Sequence, residues 1–114
     1  MRRSSTLVAA FLVLGLAAGT AHAADIPEMP AEMLADADRI ENGRVLWEEQ
    51  CRHCHGRDAY PGKAPRLTPR RYGADFVYHR LTFGFRGMPG WEDIYDQDER
   101  IDMVAYILSN RFSP

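Results

Sequence analysis

Apolar side chains recur along this chain at helical spacing, and no run of useful length alternates apolar with polar as a half-buried strand would. Over residues 37–50, Ile40, Gly43, Leu46 and Trp47 fall at three- and four-residue steps, with Glu and Arg on the opposite side. That pattern predicts an amphipathic helix. Residues 97–111 show it more strongly: Ile101, Val104, Ala105 and Leu108 form one stripe, flanked by Tyr106 and Ile107. Asp96 stands in the capping position, and Glu99 three residues later suits the first turn. A third, shorter helix is expected over residues 74–83, led by Asp75 and ended near Gly84. Loops rich in Gly, Pro and Arg lie between these helices. The expected fold is all-α, a few short helices wrapped around something flat and apolar.

The first residues follow another pattern. Arg2 and Arg3 precede an apolar run from Leu7 to Ala18, and Ala21-His22-Ala23 has the small-x-small form of a cleavage site. Residues 1–23 therefore read as a signal peptide, cleaved after about Ala23. A bilayer span needs roughly 20 apolar residues, and this run falls short. The remainder has no second apolar segment long enough to span, so a soluble, periplasmic protein is expected. Residues 24–38, acidic and carrying Pro27 and Pro30, read as a flexible lead-in. Residues 39–114 have room for one small domain.

A domain of that size buries only about two-thirds of its unfolded surface and gains much from a cross-link or an embedded group. The chain has two cysteines, Cys51 and Cys54, too close in sequence for a disulfide to constrain much. The next residue explains them. Cys51-Arg52-His53-Cys54-His55 is the C-x-x-C-H pattern of covalent haem c attachment. Two thiols must add to two vinyl groups on one side of a porphyrin, and the imidazole after the second must reach the iron. A redox dithiol would sit after a strand at a helix N-terminus, whereas this pair follows a helix. A structural zinc site wants two spaced pairs of ligands, and beyond the cluster only His79 remains once the expected signal peptide is removed. One haem c is the expected cofactor.

The chain from about Ile40 onward resembles the class I c-type cytochromes, in four pieces that follow the family's order. Gly43-Arg44-Val45-Leu46-Trp47 looks like the first helix and Cys51 to His55 like the attachment site. Gly87-Met88-Pro89 with Trp91 looks like the loop that brings a sixth ligand, and Val104-Ala105-Tyr106-Ile107 like the closing helix. The resemblance implies a small cytochrome c fold in which the first and last helices cross, Gly43 approaching Tyr106. It also implies that the Pro65 carbonyl accepts the ring N–H of His55 and that Leu67 packs on the haem face.

The second axial ligand has several candidates. Met88, between Gly87 and Pro89, sits in a segment expected to be extended and free to point at the iron. Met103 lies within the closing helix, where core packing is expected, and Met29 and Met33 belong to the lead-in. His53 is held within the attachment turn, and His79 next to Arg80 is expected on the surface, as the runner-up. The expected metal ligands are His55 and Met88. A His/Met pair favours ferrous iron and fills both axial positions, so outer-sphere electron transfer rather than catalysis is expected. Tyr72, Trp91, Arg66, Arg70 and Arg71 are candidates to meet the haem propionates.

Charge is unevenly distributed. Without Arg2 and Arg3 the chain carries 12 basic and 16 acidic residues. Residues 52–90 hold eight basic and two acidic residues, whereas the flanking segments are strongly acidic. A basic ring around the exposed haem edge is expected, steering it toward an acidic patch on a redox partner. Nucleic acid is not an expected partner. The expected function is a soluble monohaem carrier of single electrons. Two readings stay open beside it: a haem subunit permanently docked on a larger dehydrogenase or oxidase, and a peroxidase-like enzyme with an open iron site.

Overall fold

The computed structural model of the chain describes residues 26–57 and 64–114; the expected signal peptide and Lys63 lie outside them. The described residues are helical: α1 (Ala31–Leu34), α2 (Ala37–Leu46), α3 (Arg52–His55), α4 (Ala74–Phe83) and α5 (Gln97–Leu108). A short 3-10 turn, Pro69–Arg71, precedes α4. Among the described residues there is no strand, only one bridge pairing Phe85 with Met88.

Helix α2 starts where Asp36 supplies a cap, its carboxylate accepting the N–H groups of Asp38 at 3.0 Å and Arg39 at 2.9 Å. The helix expected over 37–50 continues past Leu46, but in a wider form. Trp47–Cys51 make a π-helical turn, in which the N–H of Arg52 reaches the carbonyl of Trp47. Such a turn inserts one residue into the helical repeat. Helix α5 starts at a complete capping box: the Asp96 side chain accepts from the Glu99 N–H, and the Glu99 side chain accepts from the Asp96 N–H, each at 2.9 Å. Its interior is enclosed on every side rather than along the one expected stripe: Ile101 through Ile107 are all buried, Met103, Val104 and Ala105 completely, whereas Leu108 is only partly covered.

The two helices cross at Gly43. A Cβ there would lie 1.9 Å from the carbonyl oxygen of Asp102 and 2.9 Å from Cβ of Tyr106, so the crossing has room only for glycine. Polar contacts pin the same crossing from one end. Arg39 donates to Asp102 at 2.6 Å and to Asp98 at 3.1 Å, and Asn42 donates to the second Asp102 oxygen at 3.4 Å. Burial pushes the Asp102 carboxyl above its ordinary value, and the Arg39 guanidinium opposes that shift.

Helix α4 lies against α5 through Val77, Tyr78 and Leu81. The Tyr78 hydroxyl accepts from Arg100 at 3.0 Å. Gly73 rather than a side chain caps α4, and Asp75 occupies its first turn. The helix stops at Gly84, whose φ of 70° and ψ of −173° suit glycine alone. Phe85 and Met88 then exchange both backbone hydrogen bonds at 3.0 Å, and Trp91 N–H ties the loop back to the Leu81 carbonyl at 2.8 Å.

Residues 26–36 differ from the loose lead-in expected of them. They include α1, and Met29, Met33 and Leu34 lie partly buried against the core. The acidic, Pro-flanked pattern hides the reason, which is that these three apolar side chains pack against the core and α1 lies against α5.

Candidate functional site

The widened turn decides what surrounds the attachment pattern. Seven residues make almost two turns of an α-helix of about 3.6 residues per turn. With one residue inserted, His55, eight positions beyond Trp47, returns to nearly the same side as that indole. Their ring centroids are 6.0 Å apart. Both side chains border one cavity of about 260 Å³.

Five parts of the chain wall this cavity. Trp47, Cys51 and His55 come from the α2–α3 segment, and Pro65, Leu67 and Tyr72 from the loop before α4. Helix α4 adds Phe76, Val77, Arg80 and Leu81; the remaining wall is Phe85, Met88 and Ile107. Nearly all of this surface is aromatic or aliphatic, so the group it suits is flat and apolar.

The titratable groups in the wall have distinct states. Cys51 is buried, and burial, with Cys54 adding to it, pushes its thiol up to about 12. It is thus a neutral thiol, not the thiolate of a redox dithiol. His55 donates from Nδ1 to the Pro65 carbonyl at 3.1 Å, since a carbonyl can only accept. Burial pushes this imidazole below its ordinary value, so it is neutral and Nε2 keeps a lone pair. Met88 brings a thioether to the same cavity from the Phe85–Met88 turn.

Not every expected residue joins them. Cys54 is exposed and is not among the wall residues. Trp91 is half-buried outside the wall, its ring 5.9 Å from that of Tyr95. Arg66, Arg70 and Arg71 are exposed and also stand apart from the wall, whereas Tyr72 lies in it. Of the other ligand candidates, His53 donates to the Glu49 carbonyl at 3.0 Å, and His79 is exposed, 4.9 Å from the Phe83 ring. Met103 is fully buried in the core.

Arg80, Phe76 and Phe85 are wall residues that sequence reasoning did not single out. The Arg80 guanidinium lies 4.0 Å from the centre of the Phe85 ring and 4.9 Å from that of Phe76. The i, i+4 spacing of Phe76 and Arg80, beside Val77 and Leu81, was the signal available for it.

These residues fit a haem. An imidazole nitrogen and a thioether face one apolar cavity, a neutral thiol is set in its wall, and a cation is available to a carboxylate. Among the described residues no group of three or more His, Cys, Asp or Glu is placed to hold a metal ion by itself.

Comparison with known proteins agrees. The family model described as cytochrome c oxidase, cbb3-type, subunit III, matches residues 38–107. The 4-cresol dehydrogenase [hydroxylating] cytochrome c subunit of Pseudomonas putida is 32% identical over 73 residues, 64% of this chain. The match spans 63% of that subunit's length. No solved structure matches. With the matching family model covering the crossed helices, the cavity and the Met88 loop, the chain belongs to the class I c-type cytochromes, in the family of cbb3-type oxidase subunit III.

Proposed function

We propose that the chain is a monohaem electron carrier, exported to the periplasm with cleavage after about Ala23, whose haem is bound covalently through Cys51 and Cys54. His55 and Met88 would ligate its iron. The observation that carries this reading is that His55 and Met88 border the same apolar cavity while Cys51 is buried in its wall. When bound, the haem supplies a one-electron couple between ferric and ferrous iron.

The chain's own residues set the terms of that couple. The Pro65 carbonyl fixes the His55 ring and raises its donor strength. Met88 offers a soft, neutral ligand that favours the ferrous state. Leu67, Val77, Leu81 and Ile107 exclude water from the cavity. With His55 and Met88 both available to hold the iron, no position would be left for a substrate, which supports a carrier rather than an enzyme.

The partners are redox proteins. Arg80 and Arg86 flank Phe85 at the cavity wall, and the exposed Arg66, Arg70 and Arg71 add to the same positive segment. This distribution suits an acidic patch on a partner. The shuttle is the first reading; a docked subunit is the second, favoured by the likeness to a dehydrogenase's cytochrome subunit.

Expression with a haem-attachment system tests the core of the reading. The purified protein should carry the mass of one haem on the processed chain and show the spectrum of a low-spin, six-coordinate c-type cytochrome. Absence of bound haem, or haem released on denaturation, would overturn it. Periplasmic fractionation tests export, and elution alone or with a larger partner separates carrier from subunit.

A further inference from the structure

Residues 109–114 do not simply trail from α5. The Ser109 hydroxyl donates to the Tyr106 carbonyl at 2.7 Å and accepts the Arg111 N–H at 3.2 Å. The Tyr106 hydroxyl accepts the Ser113 N–H at 3.2 Å and donates to the Ser113 carbonyl at 3.3 Å. Arg111 donates to Glu41 on α2 at 2.7 Å. These bonds turn the chain back over the α2–α5 crossing and aim one side chain inward: the Phe112 ring meets Trp47 edge-on, centroids 4.9 Å apart at 76°.

Trp47 is 1% exposed, yet its indole N–H has no hydrogen-bond partner among the described residues. Among the described residues no polar contact fixes this ring, and packing sets its position. Among its aromatic neighbours Phe112 is nearest, at 4.9 Å, ahead of His55 at 6.0 Å and Tyr106 at 6.4 Å. The indole is thus a shared neighbour of Phe112 and of the imidazole that donates to Pro65.

We propose that Phe112 is a positioning residue for the iron site: acting through Trp47, it sets how tightly the His55 ring is enclosed and kept from water. This rests on His55 being an axial ligand. Shortening Phe112 leaves a void behind Trp47, and an indole with an unpaired N–H turns toward any water or carbonyl the void admits. The His55 N–H then exchanges with solvent more readily, and a wetter ligand environment favours ferric iron.

The test uses holoprotein carrying Phe112→Ala, with Phe112→Leu as the milder variant and Arg39→Met as a control that loosens the same helix crossing away from Trp47. Two quantities are read: the hydrogen-exchange rate of His55 Nδ1–H by NMR and the midpoint potential. Phe112→Ala should speed exchange by tenfold or more and lower the potential, Phe112→Leu should fall between it and wild type, and Arg39→Met should leave both near wild type. If Phe112→Ala fails to fold, Phe112→Leu decides alone. A variant that loses thermal stability while exchange and potential stay at wild-type values reduces Phe112 to a structural contact and overturns the proposal. Wild-type protein without covalent haem would instead bring down the functional reading, and this inference with it.

Discussion

The imidazole of His55 donates from Nδ1 to the carbonyl oxygen of Pro65, at 3.1 Å and ten residues further along the chain. Because the acceptor is a backbone group, it is held by the loop rather than by a side chain. Pro65→Gly should loosen that loop, weaken the donor strength of His55 and move the midpoint potential upward. It should also weaken iron ligation by about tenfold, as disruption of such supporting contacts commonly does. Potentiometry and imidazole competition measure the two effects; an unchanged potential would show that the bond does not tune the iron.

Gly43 leaves no space for a side chain, since its Cβ would meet the Asp102 carbonyl. Gly43→Ala should force α2 and α5 apart and cost about 3 kcal/mol or more, the upper range for overpacked sites. Chemical denaturation provides the check. A loss under roughly 0.5 kcal/mol, the size of an ordinary surface substitution, would mean that the crossing yields more easily than described.

Gly84 adopts a backbone conformation that L side chains avoid, and a Cβ there would lie 2.3 Å from the Met88 carbonyl oxygen. Gly84→Ala should therefore cost about 1–3 kcal/mol in backbone strain alone. The same change should disturb the turn that presents Met88. The expected sign is an earlier loss, on warming, of the weak Met-to-iron charge-transfer band, ahead of global unfolding; simultaneous loss of both would separate Gly84 from ligand presentation.

Glu41 links Arg44 on its own helix to Arg111 beyond α5. The hydrogen bond from Arg44, followed by that from Arg111, lowers its carboxyl to about 2. A depressed carboxyl contributes stability that is present above its unfolded value, near 4.5. That contribution is lost as pH falls through about 2. Thermal unfolding followed from pH 5 downward should thus show a decline that Glu41→Gln flattens and added salt reduces. Matching profiles for the two proteins would remove Glu41 from the acid response.

Much of this molecule could be read from residue order, and the parts that could not have separate causes. Helix α4 occupies the residues its pattern predicts, and the Asp96–Glu99 capping box forms where the side chains allow it. The close approach of Gly43 to Tyr106 was legible through the resemblance of the first and last helices to the class I c-type cytochromes. By contrast, the π-helical turn leaves no mark in composition, since Trp-Glu-Glu-Gln-Cys suits an ordinary helix equally well. The packing of Met29, Met33 and Leu34 was masked by acidic neighbours. Arg80 reads as a surface cation until Phe76 and Phe85 are seen beside it. The packing of α1 depends on a distant partner, α5, which local pattern does not encode; Arg80 and its two rings are near in sequence, and their meeting depends on how the chain turns after α4.

The widened turn at Trp47–Cys51 also bears on which changes this segment can absorb over time. Exposed positions such as Glu48 and Glu49 are open to exchange, because they face water. Length is another matter. Removing one residue between the indole and the imidazole swings everything downstream by about 100° around the helix axis, turning the attachment pattern away from the cavity without altering any of its residues. The spacing from Trp47 to His55 is therefore a single constraint: exposed positions within it can be substituted, but its length cannot change without moving His55 off the cavity.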